Sequence, residues 1–298
     1  MTTAISADEH ALSPEDLEHF ETQGFVTLSR AVSNEQVSAA NDAVWQFLGM
    51  DRNDPEDWYR PPHSPNSLVE IYQHQALWDN RQSPRIYRAF CQLWGTDKLW
   101  VSLDRASMKP PVDSTRPDWQ WPSFMHWDFD LTGEMPVQFG VQGVLCLSDT
   151  TEDQGGFHCI PGMHREVIEW SKTPAEQRDP KVLPFERDRV RAIAAKAGDM
   201  ILWHRALPHG SGINRTDRPR LAQYILAAPA GYNVSIYQPQ DGSPTSAAPA
   251  RETMRQHRIA QWERRIGPAG PAVDPREAGP PAVLTPLGRR LLGLDAWE

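Results

Sequence analysis

The chain has 298 residues, a formal net charge of −9 and an isoelectric point near 5.6. Nucleic-acid-binding domains are usually basic, with clustered lysines and arginines, so this charge argues against nucleic acid as a partner. The sequence has neither an apolar run of membrane-spanning length nor a basic N-terminal region followed by an apolar stretch. It therefore predicts neither a membrane span nor export. The length suits one elaborated domain over residues 1–298.

The three cysteines, Cys91, Cys146 and Cys159, lie in apolar neighbourhoods and lack the spacing of a metal site. A free thiol in such surroundings behaves as a small buried hydrophobe, which fits a reducing cytoplasm. We therefore expect a cytoplasmic protein whose partner is a small molecule. The composition leaves the oligomeric state open.

The N-terminal part of the chain predicts helices. Residues 13–24 begin with an N-cap serine and a proline and end in glycine, which predicts a helix. The next segment, FVTL, predicts a short strand. Ser33 and Gln36 form a capping box that opens a second helix, and residues 83–95 begin with Ser-Pro and end in glycine, which predicts a third. We expect residues 11–97 to form a helical part that packs on the core.

From Leu99 onward, short runs rich in β-branched and aromatic residues alternate with turn residues. The runs are KLWVSLDRASMK, SFMHWDFD, VQFGVQGVLCLSD, GGFHCIPG, DMILWHRALPHG and PRLAQYILAAP. This spacing predicts an antiparallel sandwich or jelly roll, and therefore a mainly β protein with flanking helices. We place the core at residues 98–230.

Two further segments flank or interrupt this core. The polar, Pro-containing stretch 165–190 is predicted to be an insertion with a helix and a mobile loop, the kind of loop that often serves as a lid. Residues 231–298 form a C-terminal extension, with a helix predicted at 251–265 and a Pro/Gly-rich connector at 267–286.

The segment MHWDFD places His126 and Asp128 two residues apart. In a β-strand, alternate side chains share a face, so this imidazole and this carboxylate would lie side by side. Such pairs also occur by chance, and a lone histidine is more often a structural residue. A second imidazole from another strand would complete the two-His, one-carboxylate set that holds non-haem Fe(II).

Two histidines compete for the third position. His209 follows a predicted strand within a Gly/Ser-rich turn, and His204 lies five residues before it in WHRALPH. Strand alternation does not choose between them, because Pro208 interrupts the run. We favour His209 for its place just ahead of a group of arginines.

That group comprises Arg215, Arg218 and Arg220. One interpretation is a solvated turn in which Asp217 pairs with its neighbours. The other is that one guanidinium enters the barrel and binds a carboxylate through two parallel hydrogen bonds. Arg220 begins the apolar strand RLAQYILAAP, whereas the other two belong to the turn, so Arg220 is the one placed to point inward.

Several of these motifs resemble a known family. The HxD pair, DQGGFHCIPGMHR and GDMILWHRALPHGSGINRTDRPR, with the N-terminal LSPEDLEHFETQGFVTL, are similar to the phytanoyl-CoA dioxygenase family of Fe(II)- and 2-oxoglutarate-dependent oxygenases. The matches cover roughly residues 11–229, and the eleven-residue step from His209 to Arg220 is the most specific of them.

The resemblance implies a double-stranded β-helix, the cupin-like jelly roll, with His126, Asp128 and His209 as the iron ligands. It implies that Arg220 binds the distal carboxylate of 2-oxoglutarate. Ser211 matches a position near that carboxylate, and Gln142 falls where members place a polar contact to the cosubstrate.

The implied reaction is oxidation by O2, with release of succinate and CO2, of an unactivated C–H bond in a small organic molecule. Asp128 favours hydroxylation or another oxidation over halogenation, because related halogenases carry a small residue there. No acyl-CoA phosphate cradle is evident, so the family name does not give the substrate.

Two other functions remain open from the sequence. A hydrolytic enzyme could use the same ligands around Zn²⁺, but it needs a general base near a metal-bound water, for which Glu152 and Asp153 are candidates. A cupin-like protein could also bind a small molecule without turnover. Succinate release that depends on substrate would separate a catalyst from a sensor.

Four further residues are candidates for the substrate pocket. Arg105 and Lys109 lie on the strand before the HxD motif, where they would meet an anionic group or simply carry surface charge. Trp119 and Trp121 lie in an irregular segment beside that motif, and the alternative for them is ordinary packing. His158 and His164 are predicted to be structural.

Overall fold

The computed structural model describes residues 10–119, 125–128, 137–173, 177, 187–231, 251–268 and 274–297. Within these ranges it contains seven α-helices and eleven β-strands. None of the helices in the described ranges has the length and apolar character needed to cross a membrane. The helices are α1 Pro14–Gln23, α2 Asn34–Leu48, α3 Gln75–Arg81, α4 Pro84–Trp94, α5 Met163–Ser171, α6 Arg251–Glu263 and α7 Pro286–Leu292.

The predicted N-terminal helices form within the expected bounds. The side chains of Ser13 and Ser33 each accept a hydrogen bond from the backbone N–H three residues on. In return, the side chains of Asp16 and Gln36 accept the backbone N–H groups of Ser13 and Ser33. Gly24 ends α1 at φ 82°, in the left-handed region that glycine enters without steric cost. A Cβ there would also meet the His164 ring at 2.5 Å, so glycine is required twice over.

The strands form a mainly antiparallel β architecture. They are β1 Phe25–Leu28, β2 Leu68–Val69, β3 Leu99–Val101, β4 Ala106–Lys109, β5 Val141–Cys146, β6 Phe157–Cys159, β7 Arg191–Ala192, β8 Met200–His204, β9 His209–Ser211, β10 Arg220–Tyr224 and β11 Ala227–Pro229. A large sheet has the order β1-β8-β5-β10-β4-β2, and a small sheet has the order β7-β6-β9. Strands β11 and β3 form a separate pair.

The large sheet is covered on both faces, and its central strands β5 and β8 are buried throughout. One face packs on the helices α2 and α4 through the main apolar cluster. The other face and the small sheet enclose a second cluster that includes Val144, Phe157, Ile201, Trp203 and Ala222. Two sheets packed around such an interior make the jelly roll, which confirms the predicted fold class.

The C-terminal extension packs on this framework rather than standing apart. The Glu277 carboxylate accepts the backbone N–H groups of Tyr72 and Gln73 at 2.9 and 2.7 Å. The Trp297 indole donates to the Leu99 carbonyl at 2.9 Å and stacks on Tyr87. These contacts agree with a single domain, although the boundaries we assign to its parts stay predictions.

The structure departs from the sequence prediction in three places. Helix α3 was not predicted, and its N-cap is His74, whose ring nitrogen accepts from Ala76. The run KLWVSLDRASMK forms two strands, β3 and β4. The HxD segment does not form a strand in its described residues 125–128, where His126 makes an isolated bridge.

Helix α5 begins at Met163, two residues before the predicted insertion, and continues into it, and most of the expected loop lies outside the described residues. The three cysteines are free and buried, as expected.

Candidate metal centre

His126, Asp128 and His209 converge, and their donor atoms all lie within 4.8 Å of one another. The Nε2 atom of His126 lies 3.5 Å from one carboxylate oxygen of Asp128, and Nε2 of His209 lies 3.4 Å from the other. Two imidazoles and one carboxylate on one side of a site are the donor set of non-haem iron enzymes. In the described part of the chain, no other group of three such donors meets.

Backbone pairing brings the two histidines together. His126 and His209 form an antiparallel bridge with both hydrogen bonds present, at 2.9 and 3.1 Å. Their ring centroids are 4.6 Å apart. This one bridge brings together two histidines that lie 83 residues apart in the sequence. It lies at the edge of the small sheet, where His209 begins β9.

The imidazole of His209 is held in one orientation. Its Nδ1 lies 3.0 Å from the Leu207 carbonyl, so Nδ1–H donates there and leaves the Nε2 lone pair facing Asp128. The rings of Phe157 and Trp203 pack on it, with centroids at 6.1 and 5.0 Å. A hydrogen bond of this kind fixes the tautomer and ring direction of a metal-binding histidine.

Asp128 is held by a second hydrogen-bond chain. The Gln142 amide donates to the Asp128 carboxylate at 2.5 Å, and the Trp203 indole donates to the Gln142 carbonyl at 3.0 Å. Burial raises the pKa of Asp128, but the close imidazoles of His126 and His209 and the hydrogen bond from Gln142 outweigh burial and hold the pKa far below its usual range. The carboxylate is therefore ionised at neutral pH and ready to bind a cation.

We expect Gln142→Leu to weaken metal binding by roughly 10- to 100-fold, because it removes the donor that orients Asp128. Titration of the metal-free protein with Co²⁺ measures the effect. Trp203→Phe keeps the Gln142 amide and an aromatic ring beside His209 and removes the indole N–H that anchors Gln142, so we expect a smaller loss. Equal affinity in Gln142→Leu and the parent protein would show that Gln142 does not orient the ligand.

His204, the rival third ligand, lies elsewhere. It is buried at the end of β8, its Nδ1 accepts the backbone N–H of Ala206 at 3.0 Å, and its ring contacts Phe20, Phe139 and His164. Burial lowers the pKa of His204 to about 3, with the nearby His164 a further cause. The geometry therefore gives His204 a structural environment and brings His209 to the carboxylate.

Buried neutral histidines predict that the metal-free protein loses stability in acid. The folded pKa of His204 is about 3 and that of His63 about 4, both lowered mainly by burial from the ordinary 6.5. Below pH 6.5 the unfolded chain therefore binds protons that the folded protein excludes. Each residue should therefore lower the free energy of unfolding by about 2 kcal/mol at pH 5, compared with its value well above pH 6.5.

Urea unfolding at pH 7.5 and pH 5 measures this loss, and His204→Asn is the matched variant. Asparagine keeps an acceptor for the Ala206 N–H but does not titrate, so the acid loss should shrink by about 2 kcal/mol. An acid loss identical in both proteins would contradict the assignment.

Two buried cations lie side by side at another part of the barrel. Arg220 is 4% exposed and Lys109 7% exposed, and they are register partners on β10 and β4. Among the described residues, the hydrogen-bond partners of the Arg220 guanidinium are neutral oxygens, the Gly155 carbonyl at 3.2 Å and the Ser107 hydroxyl at 3.5 Å. The Lys109 ammonium donates to the Ser211 hydroxyl and the Gly212 carbonyl, both at 2.7 Å.

Neither cation has a carboxylate partner among the described residues. Burial, with the neighbouring Arg220 as second cause, lowers the pKa of Lys109 to about 7. Because burying an unpaired charge is costly, two such cations together fit a site whose anion is supplied by a ligand.

A cavity of about 340 Å³ joins the three donors to the cationic end. His126, Asp128, His209, Ser211 and Arg220 all line it, and its wall between them is mostly apolar. The apolar lining includes Val144, Phe157, Ile201, Trp203 and Ala222. Its size is at the low end for small-molecule pockets, which suits a small cosubstrate beside a small substrate.

The other predicted pocket residues are distributed differently. Arg105 lines the cavity, and Lys109 lies behind Ser211. Trp119 packs on Tyr59 and His63, with ring centroids at 5.7 and 5.5 Å, and is not among the described lining residues. Its assignment to the pocket stays a prediction.

Trp121 lies outside the described residues. The predicted structural histidines behave differently from each other: His164 is buried against Glu21 and Gly24, whereas His158 is half-buried in β6.

Sequence reasoning missed several residues of the site. Trp203 and Phe157 hold the His209 ring, and the Gly155 carbonyl accepts from Arg220. Strand alternation gave a signal for Trp203, because Ile201 and Trp203 share the inward face of β8. Nothing in the local sequence marks the Gly155 carbonyl.

A family model described as phytanoyl-CoA dioxygenase (PhyH) matches residues 20–222. Among curated proteins, one of Dictyostelium discoideum named for phytanoyl-CoA dioxygenase is 24% identical, over 71% of this chain and 74% of its own length. Ectoine dioxygenase of Bordetella bronchiseptica is 26% identical, over 72% of this chain and 75% of its own length.

Solved structures share the fold. EvdO2 from Micromonospora carbonacea var. aurantiaca, complexed with 2-oxoglutarate, is 21% identical with a TM-score of 0.51, covering 78% of this chain and 95% of that one. The epimerase SnoN from nogalamycin biosynthesis, in complex with Fe³⁺ and α-ketoglutarate, is 17% identical with a TM-score of 0.55, covering 79% and 93%. At these identities the likeness establishes the fold alone.

Proposed function

Because the chain belongs to the phytanoyl-CoA dioxygenase family, we propose that it oxidises an unactivated C–H bond of a small organic molecule, by hydroxylation or a related oxidation. The chain is a 2-oxoglutarate-dependent non-haem iron dioxygenase. The observation that carries the proposal is the cavity joining a His-Asp-His donor set to a pair of buried cations without carboxylate partners among the described residues.

The donor set fits iron. His126, Asp128 and His209 would hold the metal, since their donor atoms converge and the remaining side opens to the cavity. The Leu207 carbonyl and the Gln142 amide keep His209 and Asp128 in the orientation that binding requires.

The cationic end fits a carboxylate. Arg220 and Ser211 line the cavity, and Lys109 holds the Ser211 hydroxyl in place from behind. These residues would bind the distal carboxylate of 2-oxoglutarate and so direct its keto acid end toward the metal ligands. The planar guanidinium of Arg220 would orient the carboxylate, and the ammonium of Lys109 would add positive charge near it.

Bound iron and 2-oxoglutarate together supply the oxidation of substrate by O2, with release of succinate and CO2. The apolar side chains of Phe157, Ile201 and Trp203 exclude water from the space between the two ends of the cavity. No side chain is required as a general base. Asp128 occupies the position that a halogenase would leave small, which favours hydroxylation or another oxidation over halogenation.

Neither candidate base of the hydrolytic alternative faces the cavity. Glu152 and Asp153, the two candidates, are exposed and do not line the cavity. The Asp153 carboxylate accepts the Thr151 hydroxyl in its own turn. A non-catalytic binding protein would share this geometry, and family membership favours the catalyst.

A thermal-shift experiment tests the proposal. We expect Mn²⁺ with 2-oxoglutarate to raise the melting temperature by several degrees, since ligands that bind the native state stabilise it. The matched control is 2-oxopentanoate, which has the same chain length but no distal carboxylate, and we expect it to stabilise much less. Equal shifts for the two acids, or none for either, would contradict the proposed cosubstrate site.

A further inference from the structure

The HxD segment has an apolar side as well as a ligand side. His126 and Asp128 line the cavity, whereas Met125 and Trp127, which alternate with them, pack on a small apolar cluster beside helix α5. This α5 cluster consists of the buried side chains of Ile160, Met163, Val167 and Ala206. The two metal ligands and the two apolar residues therefore face different surroundings, although the described part of the segment is not a strand.

Hydrogen bonds anchor the segment on the short connection between β8 and β9. The indole N–H of Trp127 donates to the Ala206 carbonyl at 2.8 Å. From the same connection, the Arg205 guanidinium donates to the Asp128 carbonyl at 3.3 Å. Together with the backbone bridge at His209, this connection holds three successive residues of the HxD segment in place.

Helix α5 is tied to the rest of the fold at both ends. The N–H of Gly162, its N-cap, donates to the Gln23 carbonyl at 2.8 Å, which joins the helix to the end of α1. At the other end, the Ser171 hydroxyl accepts the backbone N–H of Val137 at 3.2 Å, and Val137 itself packs on the α5 cluster. The cluster therefore lies between a helix that is held in place and the apolar side of the segment that carries two metal ligands.

We propose that the α5 cluster positions the metal ligands: by packing on Trp127, it holds the neighbouring side chains of His126 and Asp128 toward the cavity. This role rests on the proposed function, because it takes these two residues and His209 as the metal ligands. Close-packed side chains allow only small shifts, so the ligands stay oriented before the metal binds, and binding does not have to order the segment. Trp127 is thus a positioning residue, which acts on the metal only through the ligands beside it.

Val167→Ala tests the cluster without changing any residue of the HxD segment. The matched control is Val44→Ala, because Val44 is also a fully buried helical valine but belongs to the main apolar cluster. Both variants should lose stability in urea unfolding of the metal-free protein, since each leaves a cavity. We expect only Val167→Ala to weaken Co²⁺ binding, by roughly threefold or more, which is less than the roughly 10- to 100-fold cost of removing a hydrogen-bond partner of a ligand.

Trp127→Phe tests the anchor itself, because it keeps an aromatic ring on the α5 cluster and removes the N–H that the Ala206 carbonyl accepts. The matched control is Trp262→Phe, since the Trp262 indole donates to the Ala282 carbonyl at 3.1 Å in the C-terminal extension. The visible absorption bands of bound Co²⁺ report its coordination geometry, which a loss of stability alone does not change. We expect Trp127→Phe to weaken Co²⁺ binding roughly tenfold and to shift these bands, and Trp262→Phe to do neither.

Co²⁺ affinity equal to that of the parent protein in either Val167→Ala or Trp127→Phe would overturn the inference. So would an equal loss of affinity in Val44→Ala, because metal binding would then follow overall stability. If Val167→Ala does not fold, Trp127→Phe and its control decide alone. When the parent protein binds Co²⁺ in these cases, the proposed ligands stand and only the role of the α5 cluster is wrong. A parent protein that does not bind Co²⁺, or that binds it equally well after His126→Ala, would instead contradict the proposed function.

Discussion

His209→Ala is expected to abolish metal-dependent consumption of 2-oxoglutarate, and His126→Ala should do the same. Each replacement removes one of three converging donors, so the loss should exceed the roughly 10- to 100-fold that removal of an outer partner of a metal ligand costs. Succinate release and Co²⁺ titration, measured on the same preparations, report turnover and metal binding separately.

His204→Asn is the control, because it changes a buried histidine of the same neighbourhood without touching the donor set. We expect it to retain metal binding and some turnover even if its stability falls. Full activity in His209→Ala, or loss of metal binding in His204→Asn with the fold intact, would assign the third ligand to His204.

Arg220→Ala should raise the concentration of 2-oxoglutarate required for half-maximal succinate release by at least about 30-fold, since truncating one partner of a buried charge pair costs roughly 2 to 5 kcal/mol. The guanidinium is buried with only neutral oxygens as partners among the described residues, so the ligand carboxylate would be its one charged contact there. The variant should also lose its preference for 2-oxoglutarate over 2-oxopentanoate.

Arg218→Ala is the matched control, because the Arg218 side chain is 74% exposed and pairs with Asp217 in the turn. Its requirement for 2-oxoglutarate should not change. An unchanged requirement in Arg220→Ala would move the anchor for the distal carboxylate to Lys109, which lies on the adjacent strand.

The sequence predicted that His126, Asp128 and His209 would lie close together. His126 and Asp128 were placed together by strand alternation, yet the described part of this segment is not a strand, and the bridge to His209 positions His126 instead. The prediction of proximity was sound although its geometric reason was not. The choice of His209 rested on the arginine group that follows it and on the family resemblance, because Pro208 breaks the alternation that would separate it from His204.

Strand alternation correctly predicted that Arg220 points inward. It begins a buried strand, and residues at even steps along that strand, Ala222 and Tyr224, also face the cavity. The N-terminal helices were equally readable, because the capping side chains and the terminal glycines lie within the elements that they define.

The surroundings of Arg105 could not be read from the sequence. Arg105 was predicted either to meet an anionic group or to carry surface charge, and its ion pair joins it to Glu70, 35 residues earlier in the chain. Long-range pairing of this kind leaves no local pattern. Helix α3 was missed for a different, local reason. Its N-cap is a histidine, whereas the residues that usually signal a helix start are serine, threonine, aspartate and asparagine.

Crystals grown without oxygen in the presence of Fe²⁺ and 2-oxoglutarate test the central claim most directly, through the anomalous signal of iron. We predict one strong peak within bonding distance of Nε2 of His126, the carboxylate of Asp128 and Nε2 of His209, with the distal carboxylate of 2-oxoglutarate on Arg220. An iron peak away from these three side chains, or 2-oxoglutarate bound without contact to Arg220, would contradict the account.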